Sequence, residues 1–278
     1  MRENFLAELA ISSLERVRQL EVGREDFQKL IDQSATPPGL RLSSAGFDLI
    51  AEYKRRSPTQ GELAEATSDM SRQLSDYARG GAAMISVLTE PTQFDGSLQH
   101  LSQAARLLSE LDIPVMRKDF LVDPLQLYEA RAAGASGALL IIRMLDDAAL
   151  ENMLDCAAGL GLFVLVEAFD RQDLNRLAAV SVSREKQLIL AGVNCRDLST
   201  LELEPGRFLD LAPDLPPGLP AVADSGITKS DVLPLLADAG YRLALIGSAL
   251  MQHTRPGDFV AECLAGARNQ GARLTGGG

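Results

Sequence analysis

Tryptophan is absent from these 278 residues, and histidine occurs only as His100 and His253. Two distant histidines leave little from which to build a histidine-based metal site or a serine-type triad. The only cysteines are Cys156, Cys195 and Cys263. They form no CxxC pair and fit no zinc spacing, so they read as reduced thiols. No run of about 18 apolar residues is present, and no transmembrane helix is expected. The opening residues, MRENFLAELA, are charged early and lack a long apolar core, unlike a secretory signal; a cytoplasmic protein is expected. Positive charge is in deficit: 27 Lys and Arg against 38 Asp and Glu give a net charge of −11. Such a surface repels nucleic acid and anionic membranes, and neither is an expected partner. An anionic ligand would have to meet a local basic cluster that opposes the global sign.

What is present is a rhythm. Eight short apolar runs centre near Leu49, Ser86, Val115, Leu140, Leu165, Leu190, Val222 and Leu245. Each is shorter than a typical helix, and most are rich in Val, Ile and Leu, as parallel strands buried on both faces require. Segments with apolar residues three and four apart separate them, such as MSRQLSDYARG and PLQLYEARAAG, and several end at Gly, as helices often do. The period of roughly 25 to 35 residues is that of a βα unit. Eight repeats predict an α/β protein of the (β/α)8 TIM-barrel class. An open doubly wound sheet is the rival, but no GxGxxG follows the first strand. Residues 1–46 read as an N-terminal helical extension, 47–268 as the barrel and catalytic domain, and 269–278 as a flexible tail.

In such a barrel the chemistry sits at the C-terminal ends of the strands. Those ends carry Glu52, Lys54, Ser57 and Pro58; Glu90; Arg117, Lys118, Asp119 and Phe120; Arg143; Glu167; Asn194, Arg196 and Asp197; Asp224, Ser225 and Gly226; Gly247 and Ser248. Any one of these charges could simply close a salt bridge at the barrel rim. Polar groups at all eight ends of buried strands favour a functional site, because burying them unpaired is costly. Alternation along a strand puts Glu52 and Lys54 on one face, and Lys118 and Phe120 on one face. Ser225–Gly226 and Gly247–Ser248 follow strands seven and eight, where small residues let backbone N–H groups approach a phosphate. The plainer reading of these glycines is a pair of tight turns.

The segments AEYKRRSP (51–58), ISVLTEPTQFDGSL (85–98), RKDFLVDPLQLYEARAAGA (117–135), LVEAFD (165–170), GVNCRDL (192–198), DSGI (224–227) and LIGSALM (245–251) closely resemble the indole-3-glycerol-phosphate synthase family, in its order and spacing. The resemblance implies a decarboxylating and dehydrating ring closure of 1-(2-carboxyphenylamino)-1-deoxyribulose 5-phosphate in tryptophan biosynthesis. It implies a small phosphorylated substrate, no cofactor and no metal. By the family's pattern Lys118 is the general acid and Glu167 the general base of the dehydration. Glu52 and Lys54 orient substrate and neighbouring charges. Asn194 and Arg196 hold the anthranilate end, and Ser57 and Phe120 line the pocket. Ser225, Gly226, Gly247 and Ser248 take the phosphate. A monomer or weak homo-oligomer is expected. Asp224 departs from the pattern, standing one methylene short of the usual Glu near the chemistry, so Asp224→Glu is expected to be neutral or to improve turnover of the standard substrate. The same departure carries an alternative: a specialised paralogue acting on a substituted anthranilate-derived or other aminoaryl sugar phosphate. A sister phosphate barrel such as phosphoribosylanthranilate isomerase is a further rival, opposed by RKDF. A non-catalytic scaffold is opposed by the presence of both Lys118 and Glu167.

Overall fold

All eight apolar runs form strands: β1 Asp48–Tyr53, β2 Met84–Leu88, β3 Val115–Lys118, β4 Gly137–Ile141, β5 Phe163–Ala168, β6 Ile189–Asn194, β7 Ala221–Asp224 and β8 Leu243–Ile246. The computed structural model describes residues 5–44, 46–63, 69–197, 202–204 and 206–274. Each strand pairs in parallel with its sequence neighbours, and β1 pairs with both β2 and β8, so the sheet closes on itself. This is the (β/α)8 barrel that the period predicted.

Near-continuous apolar strands are needed because both faces are covered. One face of the sheet, with Ile50, Met84, Met116, Leu139, Leu165, Leu190, Val222 and Leu243, fills the barrel interior. The other, with Leu49, Ile85, Val115, Leu140, Val164 and Ala191, meets the helices.

Helices α1 Phe5–Arg18 and α2 Arg24–Gln33 precede the barrel. Around it run α3 Met70–Arg79, α4 Pro91–Phe94, α5 Leu98–Ser109, α6 Pro124–Ala132, α7 Asp147–Gly159, α8 Arg171–Ser181, α9 Arg207–Leu211, α10 Leu233–Asp238, α11 Ser248–Gln252 and α12 Pro256–Leu274. Several start where a carboxylate accepts free N–H groups of the first turn: Asp69 on α3, Asp123 on α6, Asp146 on α7 and Asp170 on α8. Residue 269, where a flexible tail was expected to begin, lies within α12; residues 275–278 of that tail lie outside the described residues.

The chain before β1 reaches both ends of the barrel. Phe5 and Leu9 of α1 join the apolar cluster of the barrel interior, and α1 is tied down by Arg16, whose guanidinium grips Asp119 with two bonds of 2.9 and 2.8 Å. Residues 36–40 instead line a groove beside the starts of β4, β5 and β6.

Candidate active site

Strand alternation builds the centre of the site. On four alternate strands the pattern is one inward apolar residue, one outward residue, then one inward ionisable residue. Ile50, Met116, Leu165 and Val222 form part of the interior apolar cluster. Two positions later stand Glu52 on β1, Lys118 on β3, Glu167 on β5 and Asp224 on β7. Four side chains from alternate strands are one layer of a (β/α)8 barrel, and here that top layer is ionic. Lys118 is its hub: Nζ lies 2.9 Å from Asp224 Oδ2 and 4.0 Å from both Glu52 Oε2 and Glu167 Oε2. Lys54, just beyond the end of β1, pairs with Glu52 Oε1 at 2.8 Å.

The environment separates these groups in acidity. Burial alone would lower the Lys118 ammonium, but the three carboxylates outweigh it and hold it well above its ordinary value. Burial opposes ionisation of Glu52 too, yet Lys54 and Lys118 keep it below the usual carboxylate range. Glu167 goes the other way. Burial pushes it up, the Lys118 charge pulls it down, and Asp224 pushes it up again, leaving it at about 7. A glutamate ionised by default is therefore not what the fold provides; Glu167 is poised near neutrality. Asn194 fixes its orientation, donating Nδ2–H to Glu167 Oε1 while Oδ1 accepts the backbone N–H of Arg196 at 2.8 Å.

Above this layer opens a cavity lined by Glu52, Lys54, Ser57, Lys118, Phe120, Glu167, Asn194, Arg196 and Ser225, all singled out from the sequence. Phe5, Leu88, Phe94, Leu139 and Ile141 add apolar wall. The Phe94 and Phe120 rings are 6.2 Å apart and the Phe5 ring meets Phe120 edge-on at 6.4 Å. The cavity thus has an aromatic side suited to a flat ring and a charged floor suited to moving protons. The strand-end motifs did not point to Phe5, because it lies on a helix and more than 40 residues before β1. Leu88, Leu139 and Ile141 could have been found by extending the alternation one step along β2 and β4.

The four residues assigned to phosphate divide. Ser225 lines the cavity and its hydroxyl donates to Asp224 Oδ1 at 2.8 Å. Gly226 is left-handed (φ 73°), and a Cβ there would lie 2.6 Å from Cys195 Sγ. At Gly247 a Cβ would meet Glu52 Oε1 at 2.1 Å, so this glycine makes room for the Glu52–Lys54 pair. Ser248 borders a neighbouring depression with Gln60, Thr228 and Lys229.

Other strand-end charges serve the frame. Arg117 points away from the cavity to Thr89, Asp119, Glu129 and the Gln126 carbonyl. That cluster, with Arg16, holds the Asp119 carboxyl far below its usual range against the effect of burial. Arg143 turns to Asp170 and Asp173 and stacks on Phe169. Glu90 caps α4.

A family model for indole-3-glycerol phosphate synthase matches residues 7–263. The indole-3-glycerol phosphate synthase of Micrococcus luteus is 40% identical over 225 residues, covering 81% of this chain and 80% of the relative. That of Rhodococcus jostii is 39% identical over 239 residues, covering 84% and 85%. Among solved structures, 3-hexulose-6-phosphate synthase from Salmonella typhimurium superposes with a TM-score of 0.61 at 12% identity, over 81% of this chain and 100% of that one. A tryptophan synthase structure from M. tuberculosis gives 0.58 at 13% identity, over 87% and 98%; at such identities the likeness is one of fold. A family match spanning nearly the whole barrel, with relatives near 40% identity over four fifths of their length, places this chain in the indole-3-glycerol phosphate synthase family.

Proposed function

We propose that the chain closes an indole ring on 1-(2-carboxyphenylamino)-1-deoxyribulose 5-phosphate, releasing CO2 and water and leaving indole-3-glycerol phosphate, as a step of tryptophan biosynthesis. The observation that carries the reading is the Lys118 hub with Glu167 beside it: a proton donor and a proton acceptor about neutral pH, 4.0 Å apart, beneath an aromatic-walled cavity.

The residues divide the work by their chemistry. The anthranilate ring lies between the phenyl rings, with its carboxylate toward Arg196 and Asn194. Lys118 donates to the ketone oxygen as the ring carbon attacks, so charge on the developing alkoxide is met by a fixed ammonium. Loss of CO2 restores the aromatic ring. Lys118 then donates to the departing hydroxyl while Glu167 takes the proton whose removal completes the double bond. Two protons are given and one is taken, so one comes from solvent in each turnover. Glu52 and Lys54 fix the position of Lys118 and of the sugar. Ser225, Gly226, Gly247 and Ser248 face the phosphate end. Helix α1 acts as part of the same unit, with Phe5 forming a cavity wall.

The test is direct. Purified chain mixed with the carboxyphenylamino substrate should develop indole fluorescence, and Lys118→Ala should cut kcat by about a hundredfold or more while remaining folded. Absence of indole from the folded wild-type chain, or less than about a threefold loss in Lys118→Ala, would sink the reading.

A further inference from the structure

A groove of about 900 Å³ lies at the opposite end of the barrel from the ionic layer. Its wall is made by residues that begin strands rather than end them: Ser136 before β4, Leu162 and Phe163 at β5, Gln187 and Leu188 before β6, with residues 36–40 along one side. None of these enters the chemistry above. We propose that this groove binds a small carboxylate that also carries an apolar body and a hydrogen-bond donor, the chemistry of an apolar amino acid.

Three features point that way. First, Arg131 on α6 lines the groove and is only 8% exposed. Among the described residues its guanidinium makes the 3.3 Å contact from a terminal nitrogen to Ser34 Oγ and has no carboxylate partner. A guanidinium has five donors in a planar fork matched to a carboxylate, and the donors that this one does not spend on Ser34 are open to the groove. Burial holds its pKa below the ordinary value with no opposing acid. Second, residues of the groove carry other polar atoms that are buried and lack a protein partner among the described residues: Ser136 Oγ, Arg184 Nε and Gln187 Oε1. Gln187 spends its amide N–H on the Leu154 carbonyl at 2.9 Å, which leaves its carbonyl oxygen as an acceptor calling for a donor. Small side-chain rotations would bring these atoms to a ligand. Third, the charge is locally reversed. Arg131, Arg184 and Lys186 face Glu185, with Asp155 paired to Arg184, in a chain of net charge −11. Leu40, Leu160, Leu162 and Phe163 supply the apolar surface.

The experiment titrates the full chain with L-phenylalanine, phenethylamine and 3-phenylpropionate by calorimetry and thermal melting. Phenylalanine should bind and raise the melting temperature by mass action. Phenethylamine, without the carboxylate, should not bind, and 3-phenylpropionate, without the donor, should bind more weakly. Arg131→Gln should weaken phenylalanine by about tenfold or more, and Lys118→Ala at the other end should leave it unchanged. If Arg131→Gln fails to fold, Lys186→Glu at an exposed position should still weaken binding about twofold or more. The proposal falls if phenylalanine does not bind at about 10 mM or binds unaltered in the folded groove variants. It also falls if phenethylamine or 3-phenylpropionate matches it, or if Lys118→Ala abolishes it.

Discussion

Lys118 Nζ donates to Asp224 Oδ2 at 2.9 Å, joining β3 to β7 straight across the barrel mouth. These two strands are diametrically opposed in the ring of eight. The bond therefore spans the site, and it sets where the ammonium sits relative to Glu52 and Glu167. Position and protonation of the proposed acid are thus controlled by a carboxylate that need not touch the reacting ketone.

The pH dependence should report Glu167. Its carboxyl is raised to about 7, chiefly by burial, so activity that needs the carboxylate should climb as pH rises through neutrality. Asn194 lowers that value by donating to Oε1. Asn194→Ala should therefore move the acidic limb of the kcat/KM profile to higher pH. For stability the sign is opposite. Between the ordinary carboxyl value of 4.5 and the folded value of about 7, the folded state holds a proton that the unfolded chain has released. The group's contribution is full below that window and is lost as pH rises through it. Glu167→Gln should flatten this slope in thermal melts while abolishing turnover. An acidic limb that stays put or moves down in Asn194→Ala would remove Glu167 from the role of base.

Gly247 gives a test of the ionic layer that leaves every charge in place. A Cβ at this position would lie 2.1 Å from Glu52 Oε1 and 3.0 Å from Lys54 Nζ, so Gly247→Ala must push the pair aside. Displacements near 1 Å can cost up to about a hundredfold in rate, and kcat should fall by about tenfold or more. A purely phosphate-binding role for this glycine predicts instead a raised KM at nearly constant kcat. Steady-state kinetics separates the two.

Much of this was legible in the residues because the barrel's rule is periodic. A buried strand of four to six residues and an inward alternation recur eight times, so the fold and the gathering of polar side chains at the strand ends followed from spacing, while the choice of Lys118 and Glu167 among them came from the family resemblance. Acidity did not follow. Glu52 and Glu167 are the same residue type at equivalent strand positions, yet Lys54 sits within 2.8 Å of the first while the second lies nearer to Asn194. Nor did strand-end spacing mark Phe5 as a wall, since helix packing across more than 40 residues leaves no periodic trace. Arg143 shows the converse: a strand-end charge that resembles a site residue but is satisfied by Asp170 and Asp173 on the adjoining segment.

The grip of Arg16 on Asp119 makes the N-terminal helix part of the cavity. Asp119 is fully buried at its side chain and accepts two bonds from Arg16. Arg16→Ala removes both, and Asp119 retains Arg117 and Thr89, so the loss should be about 1–3 kcal/mol rather than that of an orphaned charge. Loosening α1 also frees Phe5, and KM should rise more than kcat falls. Arg16→Lys should rescue poorly, because an ammonium cannot make the two parallel bonds. Denaturant melts with steady-state kinetics check both; an unchanged KM would detach Phe5 from substrate binding.

By the family resemblance Asp224 stands where Glu is usual, and the geometry argues for the opposite of the outcome expected from sequence. A carboxylate one methylene short suggested a gap that a longer side chain would fill with benefit. No gap exists: Asp224 already reaches Lys118 at 2.9 Å and accepts from Ser225 Oγ at 2.8 Å, with 0% of the residue exposed. Asp224→Glu would advance the carboxylate by about 1.5 Å into space Lys118 occupies, driving the ammonium toward Glu52 and Glu167. Turnover of the standard substrate should fall by about tenfold or more. Asp224→Asn separates charge from fit. The amide keeps the size, but Lys118 loses its nearest anion and Glu167 loses a like charge that was raising it. The acidic limb of the pH profile should then move to lower pH, opposite to Asn194→Ala, while kcat falls because the acid is less firmly held. Measuring kcat/KM against pH for both variants decides the matter. Activity in Asp224→Glu equal to or above wild type would show that the layer tolerates the longer reach, and that the 2.9 Å bond across the barrel does not set the position of Lys118.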